Sequence, residues 1–180
     1  MSLRWLLLVS IFGFIALSST SQAQEKGGWE KLAPMPTPRS ELAATIVDGR
    51  IYVAAGLVEE GGIDAFEIFD IASNTWTSAT KVPQRRHHTA LTSIGKKIYI
   101  TGGYMSSFNQ GLRDLRAYDI ETGAWRRMSN PPGIRVAHSA VSANNKLYVV
   151  GGLGSDPHSV WSYDPKIDKW YDKHARMPTA

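Results

Sequence analysis

Four tryptophans, Trp29, Trp76, Trp125 and Trp170, stand 47, 49 and 45 residues apart, and other landmarks keep step with them. An arginine follows ten residues after each of the first three (Arg39, Arg86, Arg135). A tyrosine lies thirteen residues further on (Tyr52, Tyr99, Tyr148), and a glycine four beyond that (Gly56, Gly103, Gly152). An aromatic–aspartate pair then precedes the next tryptophan: Phe69-Asp70, Tyr118-Asp119 and Tyr163-Asp164. Only the interval from the glycine to that aromatic varies, at 13, 15 and 11 residues. A period of this length implies a stack of like units, and the elastic interval marks a surface loop.

One period reads as four strands. In the second, residues 89–94 carry β-branched and small side chains, Gly95-Lys96-Lys97 turns the chain, and residues 98–101 form a buried strand ended by Gly102-Gly103. Residues 115–118 make a third strand, Thr122-Gly123 a turn, and Trp125 opens the fourth. Glycine permits positive φ and lets a bulky neighbour lie on the backbone. Trp125, across a hairpin from Tyr118, is therefore expected to be a core residue covering the glycine pair. A four-stranded sheet that is apolar on both faces cannot bury itself alone. Radial stacking of such sheets gives an all-β propeller.

A glycine pair ending a strand, then Tyr-Asp, then Trp, with proline just ahead of each unit's arginine, resembles the kelch repeat over residues 29–180. The resemblance implies a partial, open kelch-type β-propeller of three four-stranded antiparallel blades, with repeats near 29–76, 77–125 and 126–170. Residues 29–32 would be an orphan fourth strand, and 171–180 the start of another repeat. Kelch rings close with about six or seven blades, so the expectation is a truncated copy of a longer propeller. Two half-rings assembling through exposed blade faces is the competing reading. The first repeat departs from the pattern in having Ala55 for the first glycine. Its methyl is expected to press on the local tryptophan, Trp76.

Residues 1–23 read as a cleavable signal peptide. Arg4 precedes a 12-residue apolar run at 6–17, too short for a comfortable span, and Ser21-Gln22-Ala23 suits cleavage before Gln24. The expected location is secreted or periplasmic, with no membrane attachment after cleavage, and the absence of cysteine and of N-glycosylation sequons leans towards a bacterial source. The formal net charge of +4 is interspersed, which argues against a nucleic-acid partner.

Antiparallel order brings the segments after each arginine and the elastic loops to one rim. The candidate ligand-binding residues there are Arg39, Arg86, His87, Tyr104, Phe108, Asn109, Arg113 and Arg135. The loop 104–114 has aromatics, an amide and an arginine, a mixture suited to binding. The arginines support two readings: a cationic collar for a carboxylate or acidic peptide, or braces tying each loop to its own blade. Recurrence in every blade favours braces for Arg39 and Arg135, while Arg86 stays open. His87 and His88, adjacent on an extended segment, should point opposite ways and not share an ion. No metal, cofactor or catalytic residue is expected.

The favoured function is a non-catalytic scaffold whose rim binds a protein or glycan. The alternative is an incomplete carbohydrate enzyme of the sialic-acid mutarotase (N-acetylneuraminate epimerase) type, a family of exported kelch propellers to which the pattern is similar. None of that family's catalytic residues can be placed on this sequence. The copper-radical chemistry of galactose oxidase, another kelch-built enzyme, needs a Cys–Tyr cross-link, and this chain has no cysteine.

Overall fold

A computed structural model describes residues 27–179, so the signal-peptide expectation lies outside the described residues. They form three four-stranded antiparallel sheets, each with its strands in sequence order. Blade one comprises Ala43–Val47, Arg50–Ala54, Phe66–Asp70 and Thr75–Ser78. Blade two comprises Ala90–Ile94, Lys97–Thr101, Leu115–Asp119 and Ala124–Arg127. Blade three comprises Ser139–Ala143, Lys146–Val150, Trp161–Asp164 and Lys169–Tyr171. The first strands adjoin in order, blade one to two to three, and among the described residues these blades do not close a ring. Residues 29–32 form no strand, and Trp29 is fully exposed. An isolated segment has no ladder to complete its backbone hydrogen bonds, so the pattern of a fourth strand does not by itself make one.

Turn chemistry sets the register. Asp48-Gly49 and Asn144-Asn145 take positive φ at both central positions, and Gly95 takes it at the first of Gly95-Lys96. These are the two-residue hairpin turns whose twist matches the strands. The aspartate of each aromatic–aspartate pair caps the next turn. Asp70 accepts from Ser73 N, Asp119 from Thr122 N, and Asp164 from Lys166 N. The same carboxylates pair with the cation opening the second strand: Arg50–Asp70, Lys97–Asp119 and Lys146–Asp164.

Blade two supplies both interblade cores through the period-two alternation of its second strand. Ile98 and Ile100 join Tyr52, Ala54, Phe66, Val82 and Tyr118 towards blade one. Tyr99 points the other way and joins Leu115, Leu147, Val149, Trp161 and Tyr163.

Trp125 and Trp170 act between blades, which corrects the expectation for Trp125. It pairs with Tyr118 across the hairpin as the spacing implies. Its ring packs on Phe66 of blade one (centroids 5.2 Å), and it is only half-buried. The indole Nε1–H donates to Thr80 O in the preceding linker; likewise Trp76 donates to Ala33 O and Trp170 to Ser129 O. Each acceptor lies four residues after the previous repeat's tryptophan. A second bond closes the link in blades one and three, where Asn74 and Asp168 accept from Ala33 N and Ser129 N. In blade two that position is Gly123, which has no side chain, and Thr80 Oγ1 donates to Gly123 O instead.

Gly102 is closed to the tryptophan because it faces the next blade. A Cβ there would sit 2.1 Å from Arg135 O. Ala55 takes the same left-handed φ, 60° against 58° at Gly102. Its methyl joins the core between blades one and two, while Trp76 packs on Phe69.

Candidate binding rim

The three arginines are braces. Arg39 donates to Glu67 at 2.6 Å and to the carbonyls of Thr37 and Val53. Arg86 grips Asp114 with two parallel bonds of 2.9 Å and donates to Gly102 O. Arg135 has no carboxylate partner among the described residues: it donates to Gly151 O, Asp156 O and Ser159 Oγ at 2.8, 2.9 and 2.8 Å. Its guanidinium also lies 4.0 Å from the centre of the Trp161 ring. Burial lowers the Arg135 pKa and Asp156 partly opposes this, but that carboxylate is taken up by Arg176. The cationic collar is thus corrected. The side chains of Arg39 and Arg86 are fully buried and Arg135 is nearly so, with their charge spent inside the fold.

The residues after each arginine make an inner seam between blades. Glu41, His88 and Ala137 all take positive φ, near 50°. His88 N donates to Glu41 O, and Ala137 N to His88 O. The second glycine of each pair adds a link, Gly56 N to Arg86 O and Gly103 N to Arg135 O.

That kink overturns the expectation for the histidine pair. The left-handed φ of His88 turns its ring onto the same side as His87, and their Nδ1 atoms are 2.7 Å apart. His88 Nε2 in turn lies 3.2 Å from Glu41 Oε2. With both rings neutral, His88 Nε2–H donates to Glu41, and His87 Nδ1–H donates to His88 Nδ1. His87 Nε2 is then a buried lone pair without a partner among the described residues. Burial, and next the neighbouring His88, lower the His87 pKa, with Glu41 opposing. The pair carries one proton between the two Nδ1 atoms, and a second would set two N–H groups against each other. Among the described residues no cluster of His, Cys, Asp or Glu has a metal-holding arrangement.

Above the pair lies the long loop. Tyr104 and Phe108 pack on His87 at 5.6 and 4.9 Å and against each other at 5.5 Å. His87 and Tyr104 exchange backbone hydrogen bonds of 2.9 Å. Gly61 and Gly62 of blade one let the loop approach, since a Cβ at either would strike Ser106 O or Met105 O. Phe108 is 61% exposed despite its stacking. Asn109 is exposed beside it and hydrogen-bonds Ser107. The structure therefore gathers His87, Tyr104 and Phe108, adding His88 and Glu41 to them. Exposed Arg113 is turned to Pro131 O instead. The partners Glu67, Asp114, Ser159 and Trp161 escape sequence reading because residue type is not kept at their positions: Glu67 and Trp161 both stand two residues before the repeat's aromatic, and Asp114 and Ser159 four before it.

A family model of the KLHDC2/KLHL20/DRC7 Kelch-repeats domain matches residues 15–152, and the Kelch motif model matches residues 134–172. Kelch-like protein 40 of Mus musculus is 44% identical over 80 residues, which cover 44% of this chain and 13% of that protein. Kelch-like protein 15 of Gallus gallus is 33% identical over 79 residues, covering 44% of this chain and 16% of that protein. The chain thus spans a small part of these curated relatives. The solved structure of YjhT superposes with a TM-score of 0.71 at 20% identity, covering 82% of this chain and 54% of that one, a likeness of fold. Three in-register blades, their arginine and tryptophan braces, and a family match across most of the sequence agree: the chain belongs to the kelch-repeat family of β-propellers.

Proposed function

We propose that this kelch scaffold binds a protein partner on the rim between blades one and two, with Phe108 as the anchor and Tyr104, His88 and Asn109 around it. The observation that carries this reading is an exposed phenylalanine on a loop whose base is fixed from both sides. A rigid aromatic presented in this way loses little entropy on binding and fits the anchor pattern of protein interfaces. With the three arginines buried, Arg113 is the exposed cation of the foreseen set, so apolar contact outweighs attraction for an acidic ligand.

A photo-reactive residue at Phe108, with one at exposed Ile71 as control, tests the site in the full chain. The expected result is a protein adduct at 108 alone, whose partner is then lost by Tyr104→Ala with the fold intact. Equal adducts at both positions, or only glycan retention on an array, overturns it. Export of the chain is a separate part of the proposal, supported by Arg4, the apolar run and Ala23. Mass analysis of the secreted or periplasmic protein should give a chain starting at Gln24.

A further inference from the structure

The groove between blades two and three departs from the repeat at the positions that line it. Its floor is the cross-strand row Tyr99–Ala117–Arg126. The corresponding row in blade one is Tyr52–Ile68–Thr77. In the turn after the third strand, blade three has Pro165 and Lys166 where blade two has Ile120 and Glu121. Ile68 and Ile120 pack against the core between blades one and two. Ala117, buried at the edge of the core between blades two and three, and Pro165 line a cavity of about 530 Å³, together with Met128, Lys97 and Asp119. Two isoleucines have given way to smaller side chains, and a threonine and a glutamate to cations.

Charge at this groove is unbalanced. Lys97 is held by Asp119 at 2.6 Å. Among the described residues Arg126 and Lys166 make no ion pair, and both are exposed. Asp168 feels the charge of Arg126, but its Oδ1 already accepts from Tyr163 and Ser129. The volume lies within the range of small-molecule sites, which combine an apolar wall with a few polar anchors.

We propose that the groove binds a small organic anion, its charge held by Arg126 and Lys166 and its apolar body lying over Tyr99, Ala117 and Met128. This site is separate from the rim.

Isothermal titration of the full chain with 4-phenylbutyrate, and with 4-phenylbutan-1-ol as the neutral counterpart, tests it. The carboxylate should bind at least tenfold more tightly than the alcohol. Ala117→Ile, which installs the blade-one residue, should weaken the carboxylate at least tenfold. Arg126→Thr and Lys166→Glu should do the same without moving the melting temperature. Phe108→Ala should leave this binding unchanged, which separates it from the rim reading. Absence of carboxylate binding at millimolar concentration, equal binding of the alcohol, or indifference to both charge variants overturns the proposal. If Ala117→Ile unfolds the chain, the two exposed positions carry the decision.

Discussion

Arg86 and Arg135 occupy the same place one repeat apart, and both guanidiniums are buried. Both donate to the carbonyl of the first glycine in their own blade, Gly102 and Gly151. Their counter-charges differ. Blade two meets the cation with Asp114, one residue ahead of its third strand; blade three meets it with carbonyls, a hydroxyl and the Trp161 ring. Arg39 uses a third solution, Glu67 within the strand itself. A guanidinium has five donors in one plane and can be satisfied by several acceptor sets. The repeat therefore preserves the cation and its slot, while the neutralising group changes in kind, as from Asp114 to Ser159 at one repeat position, or moves two residues along the chain, as at Glu67.

The largest effect should separate these two solutions. Asp114→Ala leaves Arg86 buried without its counter-charge and also removes the partner of Arg116. It should cost about 3–5 kcal/mol, the scale for breaking a buried pair. Ser159→Ala removes one of several acceptors of Arg135 and should cost about 1–2 kcal/mol. Urea denaturation of both variants measures the gap, and equal costs would show that the carbonyl cage depends on Ser159 as blade two depends on its aspartate.

A second contrast lies three residues beyond each arginine. Thr89 of blade two donates to Thr101 O at 2.8 Å, whereas both ring nitrogens of His138 in blade three are buried without partners among the described residues. Burial, and then Arg135, depress the His138 pKa from 6.5 to about 4. Above the unfolded value both states are neutral. As pH falls from about 6.5 to about 4, the unfolded chain takes up a proton that the folded chain refuses, so stability declines and then levels off. The loss should be on the order of 3 kcal/mol. His138→Thr, which installs the blade-two residue, should flatten this part of the pH–stability curve. An unchanged curve would place the acid lability elsewhere.

Smaller effects sharpen the comparison at the tryptophan links. Trp125→Phe keeps an aromatic ring against Phe66 but loses the bond to Thr80 O, and should cost about 1 kcal/mol in chemical denaturation. A harmless change would make the link incidental to docking. Gly123→Asn gives blade two the residue that blade one has at Asn74, at a φ of 68° that asparagine tolerates. A Cβ there would meet only Tyr118 Oη, at 3.7 Å. The added acceptor for Thr80 N should stabilise by about 0.5 kcal/mol. A loss instead would show that the hydroxyl bond of Thr80 already satisfies this link.

Much of the blade was legible because it is local. Side-chain pattern marked the strands, the hairpin spacing paired Tyr118 with Trp125, and Gly95-Lys96 and Thr122-Gly123 marked turns. The rim was legible as a place and less so as a site. Tyr104, Phe108 and His87 do meet, but the contact of the two histidines depends on one left-handed φ at His88. Histidine at that position carries no signature of the turn, whereas a glycine would.

The sequence alone determined the repeat, its strands and turns, and the kelch resemblance, because period, alternation and turn residues act over a few bonds. Only the tertiary structure decided what each repeated side chain faces. It set Trp125 and Trp170 between blades, buried the arginines against partners of different chemistry, and left room at Ala117 where Ile68 fills the equivalent place. Those outcomes depend on which neighbour's atoms arrive across an interface. Burial, charge balance and free volume are properties of that meeting, and a periodic sequence records only one side of it at a time.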